Sequence, residues 1–181
     1  MKTRTRLLRR PRFRLAKQRA AEFLRASRVH RPPVPVERIV ELAGATIRYE
    51  PFAGQLSGVV HRTSRGSIIG VNSMHAPVRR RFTIAHELGH LVLQRDDLFH
   101  VDEKFPVAFR SEDSSKAHSP FEVEANQFAA ELLMPEKLLM RDVAKLPLGL
   151  DVEEAIAELA RRYEVSEQAM TIRLSALGVI Q

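Results

Sequence analysis

The chain contains no cysteine. Disulfides are therefore excluded, and so is any metal site built on thiolates. A bound metal would be held by histidine and carboxylate, a donor set that suits Zn2+. The lack of disulfides also fits a reducing cytosol. No run of residues reaches the roughly 18–20 apolar positions of a membrane-crossing helix. At the N-terminus Leu7-Leu8 stands alone where a secretory signal would need about 7–15 apolar residues. The expected location is the cytoplasm. Internal repeats are missing too, and so is low complexity outside the basic N-terminal stretch.

What is present is an ordinary globular composition: 181 residues, 44% hydrophobic and 28% charged. That length fits one domain with at most a small appendage. The charge is lopsided. Residues 1–31 hold twelve Lys/Arg and one acid, Glu22, whereas the rest of the chain holds seventeen Lys/Arg against twenty-one acids. The net charge of +7 thus belongs to the N-terminal arm. Such an arm is either a solvated tail or a weak contact for nucleic acid. Residues 1–14 read as a flexible basic extension, 15–145 as the main domain, and 146–181 as a C-terminal helical segment packed on it.

Arg14–Ser27 has helical spacing, and Pro32, Pro33 and Pro35 then force an extended segment. Val36–Ala43 reads as a short helix with Gly44 as a left-handed C-cap. Ala45–Tyr49, Gln55–His61 and Ser67–Asn72 are rich in β-branched residues, and Thr63-Ser64-Arg65-Gly66 reads as a hairpin turn. A small antiparallel sheet is expected from them. Val78–Leu93 is apolar around most of a helix. The charged stretch Arg95–Ser119 is long for a loop in a compact domain. Ser119-Pro120-Phe121-Glu122 starts the next helix, with Ser119 as N-cap, Pro120 at N1 and Glu122 at N3 of a capping box. Further helices follow over Glu136–Lys145, from Asp151 (a second capping box with Glu154) to Tyr163, and from Ser166 to Leu177. The fold class is α+β, mostly helical. The last two helices have the length and turn of a helix-turn-helix, with Gln168, Thr171, Arg173 and Ser175 on the reading face. That face is thin for base recognition, so a structural or docking role is favoured.

The chemistry concentrates in His86-Glu87-Leu88-Gly89-His90. Residues four apart share a helix face, so His86 and His90 present two imidazoles to one point. Glu87 can reach a water at that point without being a ligand. Two nitrogen ligands and a general base are what a zinc hydrolase needs. A third ligand must come from elsewhere. Asp96 falls where another zinc-peptidase spacing would put a histidine, but Leu93 replaces the glycine of that motif. Glu122 and Glu124 flank the apolar face of the following helix, and periodicity does not choose between them. The capping box occupies Glu122, which favours Glu124. Tyr49, His61, His75, Arg79 and His118 are all possible oxyanion partners.

Two blocks carry a family resemblance. Residues 81–90 (Arg-Phe-Thr-Ile-Ala-His-Glu-Leu-Gly-His) and residues 122–135 (Glu-Val-Glu-Ala-Asn-Gln-Phe-Ala-Ala-Glu-Leu-Leu-Met-Pro) resemble the ImmA/IrrE family of metallopeptidases. Weaker matches extend over about residues 20–181. The resemblance implies a zincin-like fold and a zinc site with His86, His90 and Glu124 as ligands and Glu87 as the base. It also implies a protein substrate, typically a helix-turn-helix transcriptional repressor. The competing reading is a non-catalytic regulator that binds DNA or a repressor.

Overall fold

The structure, a computed structural model, describes residues 10–54, 56–63, 66–94, 99–102, 119–147 and 149–180, with the backbone alone for 99–102. Among these residues the order is α1 (Phe13–Ala26), α2 (Val36–Leu42), β1 (Ala45–Glu50), β2 (Gly58–Thr63), β3 (Gly66–Asn72) and α3 (Pro77–Leu93). Then come β4 (Phe99–Asp102), α4 (Pro120–Leu133), α5 (Glu136–Val143), α6 (Val152–Tyr163) and α7 (Glu167–Ala176). The α+β class and nearly every expected element are present. Asp96 and His118 lie outside the described residues.

The sheet differs from the expectation in one pairing and in a fourth strand, β4, which falls in the stretch read as a loop. Its order is β1-β3-β2-β4, and β2 pairs antiparallel with both β3 and β4, but β1 pairs parallel with β3. The sheet is therefore mixed rather than antiparallel. The cause is the connection after β1, which skips one strand position. The β2–β3 hairpin then inserts β3 into the gap, so β3 runs the same way as β1. Alternating apolar residues encode which face is buried, not the lateral order. Asn72, at the end of β3, holds the crossing segment: its side-chain amide donates to the Leu56 carbonyl at 2.8 Å, and its backbone N–H donates to Ser57 O at 2.9 Å.

Helix α3 lies against the sheet, and every residue from Thr83 to His90 is buried. Helix α4 runs antiparallel along it, since His90 faces Glu122 while His86 faces Asn126. The approach is close: a Cβ at Gly89 would lie 3.0 Å from Ala125 Cα and 3.2 Å from the Phe128 ring. On its other side α4 receives α1. Ala16 and Ala20 are fully buried there, and Phe23 meets Phe128 edge to face with centroids 6.2 Å apart. The boundary placed after residue 14 is corrected here. Helix α1 begins at Phe13, and Arg12 before it is bonded to Glu124. Residues 1–9 lie outside the described residues.

The C-terminal helices form as their caps predict. Asp151 and Glu154 make the reciprocal capping box of α6. The Ser166 hydroxyl accepts from the Ala169 N–H to cap α7. Tyr163 is fully buried, and its hydroxyl donates to Asp142 at 3.0 Å, joining α6 to α5. Burial first, and then that bond, pushes the Tyr163 pKa upward. Arg173 is only 4% exposed. Its guanidinium makes two parallel bonds to Glu131 on α4, at 3.0 and 2.7 Å, and its Nε donates to Met134 O. One of the four polar residues expected on a reading face is therefore an internal anchor. Arg173→Ala leaves the Glu131 carboxylate buried without its countercharge. It is expected to lower unfolding free energy by about 3–5 kcal/mol in urea titration, with a much smaller loss in Arg173→Met/Glu131→Leu. Equal losses in the two variants would show that the charge pair is not what α7 contributes.

Candidate metal centre

Three ligand-type side chains converge where α3 and α4 meet. His86 Nε2 and His90 Nε2 are 2.9 Å apart. Glu122 Oε2 lies 3.3 Å from the first, and Oε1 lies 3.3 Å from the second. Among the described residues this is the group of His and acidic side chains able to hold a metal ion. Both histidines are about 1% exposed, whereas Glu122 is 21% exposed, so the centre opens to solvent on the Glu122 side.

The far side of each ring sets the lone pairs. His86 Nδ1 is 2.9 Å from Asn126 Oδ1, and His90 Nδ1 is 2.8 Å from Gln94 Oε1. The orientation of the Gln94 amide is fixed independently, because its Nε2 donates to Phe121 O at 3.1 Å. An amide oxygen only accepts, so each Nδ1 carries the proton and each Nε2 is left with a lone pair. Two nitrogen lone pairs and a carboxylate then face one another at contact distance, and a cation reconciles them. Two donors sharing one ion at about 2.1 Å in tetrahedral geometry stand about 3.4 Å apart, close to the separations seen. The residues fit a metal ion bound by nitrogen and oxygen.

The Glu124 expectation is corrected. Glu124 is fully buried, but its carboxylate accepts from Arg12: the backbone N–H at 2.8 Å, Nε at 2.9 Å and Nη2 at 2.7 Å. The capping box that was to occupy Glu122 does not form. Ser119 Oγ accepts from the Phe121 N–H at 3.3 Å, while the Glu122 carboxylate turns to the histidines. A side chain at N3 cannot cap and reach the seam at once, and Glu122 takes the seam. Asn126 and Gln94 were missed, although spacing could have found them. Asn126 is four residues after Glu122 and Gln94 four after His90, so each shares a face with a ligand.

Glu87 is fully buried beside the first histidine. Its carboxylate is packed against the start of β2, where a Cβ on Gly58 would come within 2.6 Å of Glu87 Oε1 and of Thr83 Cγ2. Gly58 thus leaves the space that the carboxylate fills. Two of the oxyanion candidates have partners elsewhere among the described residues. Arg79 donates to Ser57 Oγ at 2.9 Å, and Tyr49 lies under Arg80. The His75 pKa is lowered, first by burial and then by Arg79.

The IrrE N-terminal-like domain model, a peptidase family model, matches residues 40–175. The chain belongs to this metallopeptidase family. It is 36% identical over 110 residues to the radiation response metalloprotease IrrE of Deinococcus radiodurans, a match covering 60% of this chain and 31% of that protein. Against IrrE of Deinococcus deserti the identity is 34% over 128 residues, covering 69% of this chain and 41% of that one. The chain thus spans less than half the length of these relatives. A Mycobacterium tuberculosis transcriptional regulator shares the fold at a TM-score of 0.59 and 21% identity, over 90% of this chain and 46% of that one.

The spacing of α3 and α4 controls the centre, because the ligands come from both. Gly89→Val drives a side chain into the α4 backbone. It is expected to cost about 1–3 kcal/mol in thermal denaturation and to weaken metal uptake measured against a chelator. A variant unchanged in both would show that the close approach at Gly89 does not limit the site.

Proposed function

We propose that this chain is a zinc-dependent metallopeptidase that hydrolyses a peptide bond in a protein substrate. The supporting observation is the convergence of His86, His90 and Glu122 beside the buried Glu87. His86 Nε2, His90 Nε2 and a Glu122 oxygen would hold the ion. A zinc ion there supplies Lewis acidity, making water a nucleophile near neutral pH and polarising the peptide carbonyl. Asn126 and Gln94 keep each Nδ1 protonated and each Nε2 turned inward. Glu87 accepts the proton of the attacking water on its carboxylate and returns it to the leaving amine nitrogen. Substrate enters from the solvent-open side at Glu122. A purely structural metal site would have no use for Glu87, and this favours the enzyme over a non-catalytic regulator.

For the substrate, the resemblance in the two motif blocks favours a helix-turn-helix transcriptional repressor, and the likeness to two radiation response metalloproteases favours a stress-response setting. The excess of basic residues at the N-terminus supports weak contact with nucleic acid. No helix among the described residues is long and apolar enough to cross a membrane, and we place the activity in the cytoplasm.

The test incubates the zinc-loaded chain with a helix-turn-helix repressor encoded beside it and identifies fragments by mass spectrometry. Glu87→Gln is nearly isosteric but cannot take the proton. It is expected to keep zinc and lose at least about 100-fold in turnover. Glu122→Ala is expected to lose the ion itself, measured by elemental analysis. A zinc-replete Glu87→Gln that cleaves at the wild-type rate would refute the mechanism, and an Glu122→Ala that keeps zinc would refute the ligand set.

A further inference from the structure

Arg12 precedes both α1 and the region matched by the family model, yet it contacts both helices that carry the metal centre. Its guanidinium and its own backbone N–H make three hydrogen bonds to Glu124, a carboxylate with no exposed surface. The same Nη2 donates to Leu93 O at 2.9 Å. Leu93 ends α3, where helix carbonyls have no partner within the helix. A single side chain thus joins the last residue of the histidine-bearing helix to the first turns of the glutamate-bearing one. Gln94 makes a second tie, from the same end of α3 to Phe121 O. Phe121 and Glu124 bracket Glu122, so both sides of that residue are fixed to α3.

Arg12 is itself held in place. Its carbonyl accepts the N–H groups of Leu15 and Ala16 at 3.0 and 3.1 Å, so it stands at the head of α1. That helix packs on α4 through Phe23 and Phe128. Without Arg12 its three hydrogen bonds to the buried Glu124 carboxylate and its bond to Leu93 O are lost together, and the first turns of α4 are no longer held by it to the end of α3. Glu122 is on those turns.

We propose that Arg12 is a positioning residue of the metal centre, clamping the start of α4 to the end of α3 so that Glu122 stays in reach of His86 and His90. This rests on the zinc-site reading above. It assigns a part in the site to a residue that precedes the family-matched domain.

The test measures zinc affinity by competition with a chromophoric chelator, and the visible spectrum of the cobalt-loaded protein, which reports the number and geometry of ligands. The full chain is compared with Arg12→Ala, Arg12→Lys and Arg12→Met/Glu124→Gln. Arg12→Ala is expected to bind zinc about 10–100-fold more weakly and to change the cobalt bands, as loss of an orienting partner does. Arg12→Lys should recover only part of this, because an ammonium cannot make the two-pronged contact. The double variant removes the buried charge together with its partner. It is expected to unfold at nearly the wild-type urea concentration while binding zinc as weakly as Arg12→Ala. That result separates positioning from mere stability. Wild-type zinc affinity and cobalt spectrum in either Arg12→Ala or the double variant would overturn the proposal alone. A wild-type chain that takes up no zinc would overturn the metal reading with it.

Discussion

The close contact of α3 with α4 at Gly89 and Ala125 is the constraint on which the rest of the centre depends. Two histidines on one helix supply two donors at a fixed spacing, but no helix can supply a third on the same face at the angle a tetrahedral ion needs. The third must come from a neighbour close enough for a side chain as short as glutamate to bridge the gap. A glycine at position 89 allows that approach, since a Cβ there would already press on the α4 backbone. The antiparallel run then sets two pairs in register, Glu122 with His90 and Asn126 with His86. One carries a ligand and the other carries the group that orients a ligand.

This arrangement places several polar groups in a buried seam, where each unpaired one would be costly. Their partners come from many parts of the chain. The end of α3 is met by Arg12 from before α1, by Arg62 on β2, whose Nη2 donates to His90, Leu91 and Gln94 carbonyls, and by Gln94. Farther along α4, Glu131 is met by Arg173 from α7. The helix-turn-helix-like tail therefore has a structural task. It braces the far end of the helix that carries Glu122, and Arg173 does so from the interior rather than from a DNA-facing surface.

Much of this was legible in the residues. A four-residue spacing is a property of the helix itself, so His86 and His90 could be placed together before any tertiary contact was known. The caps at Asp151 and Ser166 were legible for the same reason, because both partners are local. The choice between Glu122 and Glu124 was not local. Residues two apart on a helix point to nearly opposite sides, and the rotation of α4 about its axis decides which one meets the histidines. That rotation is fixed by Gly89 on one side and by Arg12, 112 residues away in sequence, on the other. The sheet order escaped for a similar reason: the hairpin was visible, but the slot it fills beside β1 was not.

The capping argument failed in an informative way. A Ser-x-x-Glu pattern at a helix start lets the glutamate bond the N-cap backbone, a gain on the order of 1 kcal/mol in the open. Here the same glutamate stands across from two imidazoles whose lone pairs are turned toward it by Asn126 and Gln94. The local gain is small beside what a cation shared by those nitrogens would give the carboxylate. Ser119 keeps its half of the cap, and Glu122 gives up the other half. Sequence patterns that satisfy a helix terminus and patterns that furnish a metal ligand can thus be written in the same letters. What separates them is the neighbour: a glutamate at N3 caps when it faces water, and turns inward when the seam beside it already holds two histidines.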